Sequence, residues 1–168
     1  MITSSDIKKY LSGGAANADP DAALGGAISS VEVVDDTLSN LFDRVAGSES
    51  LAGDTEYRAI FIKNTHATLI YQDAVIYISS NTPSTDTTVA IALADEAVGT
   101  GTIETIANEN TAPVGPTFSS PSTALTGLSI GDLAPGEMKG IWVRWVISPN
   151  AAAVLDQCTL TISGETAP

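Results

Sequence analysis

The sequence predicts an all-β fold: an antiparallel β-sandwich preceded by an extended amino-terminal arm. Three observations carry this. Residues 131–147 read Gly-Asp-Leu-Ala-Pro-Gly-Glu-Met-Lys-Gly-Ile-Trp-Val-Arg-Trp-Val-Ile, a tight polar turn feeding a dense run of β-branched and aromatic residues. Pro135 presets φ at the first turn position, Gly136 frees the second, and the run that follows is stable only with a face buried. From residue 55 onward several stretches alternate with period two and no long helical pattern intervenes. The first fifty residues, by contrast, are rich in Gly, Ala, Ser and Asp. At 168 residues the chain suits one domain plus an appendage. The boundaries follow the composition: an arm and bridge over 1–54 and a sandwich over 55–168.

In chain order, residues 6–11 suit a short helical turn. Residues 11–27 carry two Gly-Gly pairs, Gly13-Gly14 and Gly25-Gly26, around small residues and Pro20. Such a stretch has little side-chain area to bury and a high backbone entropy to lose. It is expected to be disordered or to order against a neighbour, with Leu11 and Leu24 as apolar anchors. Val31, Val33 and Val34 suit a short strand, residues 37–43 a helical turn or irregular bridge, and residues 47–54 a loop. Strands follow at 56–63, at 68–79 with a bend near Gln72-Asp73, and at 88–93. Shorter ones are expected at 101–106 and 116–119. Residues 125–130 lead into the turn, and the last two strands cover 140–148 and 156–163. In the first of these strands Tyr57, Ala59 and Phe61 share one face, and Ile60 and Ile62 the other.

The tryptophan strand tests the scheme. Ile141, Val143, Trp145 and Ile147 form one apolar face, which belongs in the core. Trp142, Arg144 and Val146 form the other. A Trp beside an Arg on an outer face marks a covered surface, because both are enriched at interfaces. Trp142 and Arg144 are therefore candidates for a subunit interface. The alternative is that the arm or a loop of the same chain lies over Trp142.

The net charge of −13 opposes binding to nucleic acid or to an anionic membrane surface. Neither a secretory leader nor a membrane-spanning run is apparent in the sequence. Cys158 is alone, alternates with polar residues and reads as a core thiol, with no basic neighbour to activate it. His66 is the single histidine and sits in a polar turn, which leaves no Cys/His metal set and no second histidine for acid–base work. There is no Gly-x-Ser-x-Gly elbow and no phosphate loop ending in Gly-Lys. Asp19-Pro20-Asp21 and Asp35-Asp36 group oxygens of the kind calcium takes, but neither follows the EF-hand pattern. A paired-carboxylate hydrolase is conceivable among twenty acids, yet no pair stands out. The reading is a non-enzymatic protein with no cofactor.

The segments Leu11-Ser-Gly-Gly-Ala15, Ala23-Leu-Gly-Gly-Ala27, Asn40-Leu-Phe-Asp43 and residues 50–58 resemble those of small structural proteins of tailed bacteriophages. The latter half, with Lys63-Asn64-Thr65 at one strand end and residues 133–137 before another, resembles an immunoglobulin-like sandwich. Capsid decoration (cement) proteins are the nearest in plan. The resemblance implies an immunoglobulin-like or jelly-roll-type sandwich on the outer capsid surface of a virion assembled in the bacterial cytoplasm. Its partners would be the major capsid protein and further copies of itself, as a homo-oligomer, often a trimer. Leu11, Gly13, Gly14, Leu24, Gly25 and Gly26 would be the docking elements of the arm. A tail or head-to-tail joining component, and a host-surface or carbohydrate-binding module, are the alternatives on the same fold.

Overall fold

The computed structural model describes residues 1–152 and 156–166, so residues 153–155 and 167–168 of the expected sandwich lie outside the described residues. Among the described residues nine strands run in order: β1 (Ile7–Leu11), β2 (Gly25–Ala27), β3 (Asp54–Asn64), β4 (Tyr71–Ser80), β5 (Thr87–Leu93), β6 (Thr102–Thr105), β7 (Leu128–Leu133), β8 (Met138–Ile147) and β9 (Thr159–Thr166). Among the described residues one α-helix, α1 (Gly47–Ala52), precedes β3. All strand pairing is antiparallel. A four-stranded sheet has the order β1-β3-β8-β5, a three-stranded sheet β7-β4-β9, and β2 pairs with β6 alone.

The two larger sheets form the sandwich. Ile60, Ile62, Val89, Ile91, Ile141, Val143, Trp145 and Ile147 of the first meet Tyr71, Ala74, Ile76, Ile78, Ile130 and Leu133 of the second. The opposite face of the four-stranded sheet is buried too. Tyr57, Ala59, Phe61, Ala92, Ala94 and Trp142 pack there beneath Ile103 and Ile106, with Leu24, Ile28 and Phe118 alongside. The β2–β6 pair and its flanking loops thus form a lid, and the central sheet is a middle layer. That is why β3 and β8 are buried at most positions rather than at every second one. Both faces of these strands are as the alternation predicts.

The turn before β8 forms where expected. Gly136 takes φ of 83°, and the Glu137 N–H donates to the Ala134 carbonyl at 2.9 Å. The bend in β4 is also present: Asp73 has φ of 49° and the register shifts between Tyr71 and Ala74. Asn64, fully buried, donates from its amide to the carbonyls of Leu69 (2.9 Å) and Leu133 (2.8 Å), pinning the end of β3 to the opposite sheet.

Five local expectations are corrected. Residues 7–11 are a strand, because Ile7 to Leu11 pair with Asn64 to Ile60 along an edge that would otherwise be open. The strands expected around Val31 and at 116–119 reduce to single bridges, Tyr10–Glu32 and Ile91–Ser119. Residues 47–52 are helical: the Glu49 carboxylate accepts from the Ala46 N–H at 2.5 Å, and Gly53, φ 77°, ends the helix. The last strand starts at Thr159, three residues later than predicted.

The larger correction concerns the arm. Residues 11–29 lie on their own sandwich. Leu11 is 2% exposed opposite Ile60, and Ala23 is fully buried. Backbone bonds replace side-chain area. Ser12 N–H donates to Ala59 O (3.3 Å), Ala59 N–H to Ala23 O (2.7 Å), and Gly14 N–H to Ala27 O (2.9 Å). Small polar side chains close the loop: Ser12 Oγ accepts from Gly25 N–H at 3.0 Å, and Ser29 Oγ donates to Asn17 O at 2.5 Å. Small residues are there because backbone must approach backbone. At Gly13 (φ 97°) a Cβ would stand 2.5 Å from the Ala22 carbonyl oxygen. The two ends of the described chain also meet, the Ile2 N–H donating to Thr166 Oγ1 at 3.3 Å.

Candidate functional site

The residues singled out by sequence do not form a site. Leu11, Leu24, Gly25 and Gly26 are turned into the chain's own layers, with Gly25 and Gly26 forming part of β2. Gly13 and Gly14 turn the backbone with φ of 97° and 105°. Trp142 is 0% exposed beneath the lid, so no second subunit is needed to cover it. The alternative reading of that face, cover by the same chain, is the one found. Arg144 is half-buried, its guanidinium 5.0 Å from the Phe118 ring centroid. His66 Nδ1 accepts from the N–H groups of Thr68 (3.1 Å) and Leu69 (3.0 Å), a turn-closing role. Burial pushes the Cys158 thiol up to about 11, which keeps it protonated and unreactive.

The chemistry gathers elsewhere, around the first half of β3. Glu56 and Arg58 are two residues apart and share the face of Ile60 and Ile62, yet are 2% and 0% exposed. Past the end of β1, the free edge of β3 is covered by two loops. Tyr57 N–H donates to Glu109 O at 2.8 Å and Ala59 N–H to Ala23 O, which bring Glu109 and Asp21 to Arg58. Asp43 follows Phe42, whose ring packs on Trp145 at 5.4 Å and lies 5.5 Å from the guanidinium carbon.

Arg58 Nη2 donates to Glu109 Oε2 at 2.6 Å and stands 3.5 Å from carboxylate oxygens of Asp21 and Glu56 and 3.9 Å from Asp43. One guanidinium thus faces four carboxyl groups. The buried charge is matched by an excess of opposite charge, and the arrangement ties three loops to one strand. Burial pushes Glu56 up to about 8, against the pull of Arg58 and with the push of Asp43, Glu109 and Asp54. Asp43 is raised as well, by burial first and then by Asp21 and Glu109. Glu56 Oε2 and Arg58 Nε have no hydrogen-bond partner among the described residues. Carboxylate oxygens of Asp43, Glu56 and Glu109 lie within 4.8 Å of one another.

The sequence does hold a signal for this cluster: two charged residues, Glu56 and Arg58, on the core parity of a strand. It does not show which acids of the distant loops answer them.

A separate groove of about 390 Å³ opens between β1 and β9, lined by Ile2, Ile7, Lys9, Tyr71, Ile162 and Thr166 among others. Among the described residues no helix is long and apolar enough to cross a membrane. Compared with protein families, with curated proteins and with solved structures, the chain finds no match in any of the three.

Proposed function

We propose that this chain is a non-enzymatic structural component of a tailed-bacteriophage particle, a decoration protein that binds the outer capsid surface and holds neighbouring capsomers together. The resemblance of its sequence segments to phage structural proteins suggests the class, and a surface loop supplies the contact. Residues 34–40 form a loop clipped by the Asn40 amide, which donates to the Val34 carbonyl at 2.9 Å. Asp36 and Ser39 hold left-handed backbone with φ of 56° and 55°. Val33 and Leu41 anchor its two ends in the core at 9% exposure. Between them Val34 and Leu38 stand 61% and 66% exposed. A shaped loop that presents two apolar side chains to solvent is suited to a protein partner. In this reading the partner is the major capsid protein, and the loop takes the docking role that sequence reasoning gave to residues 11–26. A homo-oligomer, with three-fold symmetry as the first candidate, belongs to the same reading, with a contact other than Trp142.

The test is co-sedimentation with purified capsids that lack the chain. The intact protein is expected to pellet with the shells. The Val34→Asp, Leu38→Asp double variant, folded by circular dichroism, is expected to stay in the supernatant. An intact chain that leaves capsids bare overturns the proposal.

A further inference from the structure

We propose that Asp43, Glu56 and Glu109 bind a divalent cation, calcium, beside the guanidinium of Arg58. The donor set is all oxygen, which selects a hard cation and disfavours zinc or copper. Three carboxylate oxygens within 4.8 Å of one another are close enough to converge on one ion. Magnesium demands a tighter, near-octahedral shell at about 2.1 Å, and ligands drawn from two irregular loops and a strand suit the more permissive ion.

The independent observation is Glu56 Oε2. It is buried on a side chain 2% exposed, lacks a hydrogen-bond partner, and points into the cluster 3.5 Å from Arg58 Nη2. A buried oxygen without a donor is costly, and a cation would satisfy it. The charge balance agrees. Arg58 supplies one positive charge against the carboxylates of Asp21, Asp43 and Glu109. A divalent ion compensates two more. Arg58 is committed to Glu109 Oε2 at 2.6 Å and is farthest, 3.9 Å, from Asp43, so the ion takes the Asp43 side. Water has access there, since the Asp43 and Glu109 side chains are 50% and 38% exposed. Bound calcium would lock the loops of Asp43 and Glu109 to β3.

Terbium luminescence tests the proposal, because Tb³⁺ takes calcium sites and is sensitised by nearby tryptophan. Trp145 is the cross-strand partner of Glu56. The intact chain excited at tryptophan is expected to show saturable terbium emission that added Ca²⁺ displaces, and Ca²⁺ is expected to raise the melting temperature. Asp43→Asn and Glu109→Gln are each expected to weaken terbium binding by about tenfold or more. Asp43 accepts no hydrogen bond from the described residues, so its variant should fold normally. Absence of sensitised emission, or titration curves identical to wild type in both variants, overturns the assignment.

Discussion

Trp142 rests against the backbone of Gly25: a Cβ on Gly25 would stand 3.1 Å from Cη2 of the indole and 1.9 Å from the Glu104 carbonyl oxygen. With φ of 89°, Gly25 also holds a conformation that L side chains rarely adopt. This is the point where the lid closes on the central sheet. Gly25→Ala should therefore part β2 from β6 and destabilise the fold by about 2 kcal/mol or more. Urea unfolding measures the loss, and hydrogen exchange at 102–105 should rise.

Trp142→Ala should cost about 3–5 kcal/mol, the range for removing a buried aromatic side chain. The mass of the folded protein in solution should not change, since the indole is covered by its own chain. A folded variant of altered oligomeric mass would contradict this placement.

Arg58→Met leaves four carboxyl groups facing one another and should destabilise by about 3–5 kcal/mol, as expected when one side of a buried ion network is removed. In the absence of calcium, Glu56→Gln should be far milder, because Glu56 holds its proton at neutral pH in the metal-free chain. Denaturant midpoints of the two variants, side by side, check the asymmetry.

Glu56 gives the pH dependence a sign. Its ordinary value of 4.5 rises to about 8 in the folded chain, so the native state binds the proton more tightly than the unfolded state. The stability this group contributes is complete below about 4.5, falls as pH increases, and is gone above about 8. Raised Asp43 acts in the same direction. Urea unfolding between pH 5 and pH 8 should show the decline, and Glu56→Gln should flatten it.

Removing residues 1–27 should now unfold the protein rather than free it from a partner. The deletion strips β1 from the edge of β3 and takes away Leu11 and Ala23, both in the core. The circular dichroism of the truncated chain decides between the two outcomes.

The layered β fold was legible because β3 and β8 announce their faces. Alternation assigned Tyr57, Ala59 and Phe61 to one side and Ile60 and Ile62 to the other, and both assignments hold. What alternation could not supply was the nature of the second face. Trp142 and Arg144 looked like an outer surface because the lid's bulk comes from Ile103, Ile106, Leu24 and Ile28, scattered over eighty residues without a long periodic run. The amino-terminal stretch misled for a related reason. Its order comes from backbone hydrogen bonds and from glycines at close approaches, which side-chain size does not reveal. The Arg58 cluster was legible at one end only: the parity of Glu56 and Arg58 places two charges in the core, while Asp21, Asp43 and Glu109 arrive through loop paths that no local pattern encodes.

The bond from the Ile2 N–H to Thr166 Oγ1 brings the segment before β1 to the end of β9, beside the groove that both line. Closely spaced ends allow circular permutation. A short linker could join residue 2 to residue 166, and the chain could be reopened between Ser122 and Thr123, next to the 96%-exposed Leu125. The rearranged polypeptide would fold to the same layers while offering a new attachment point for a cargo at the 122–123 loop.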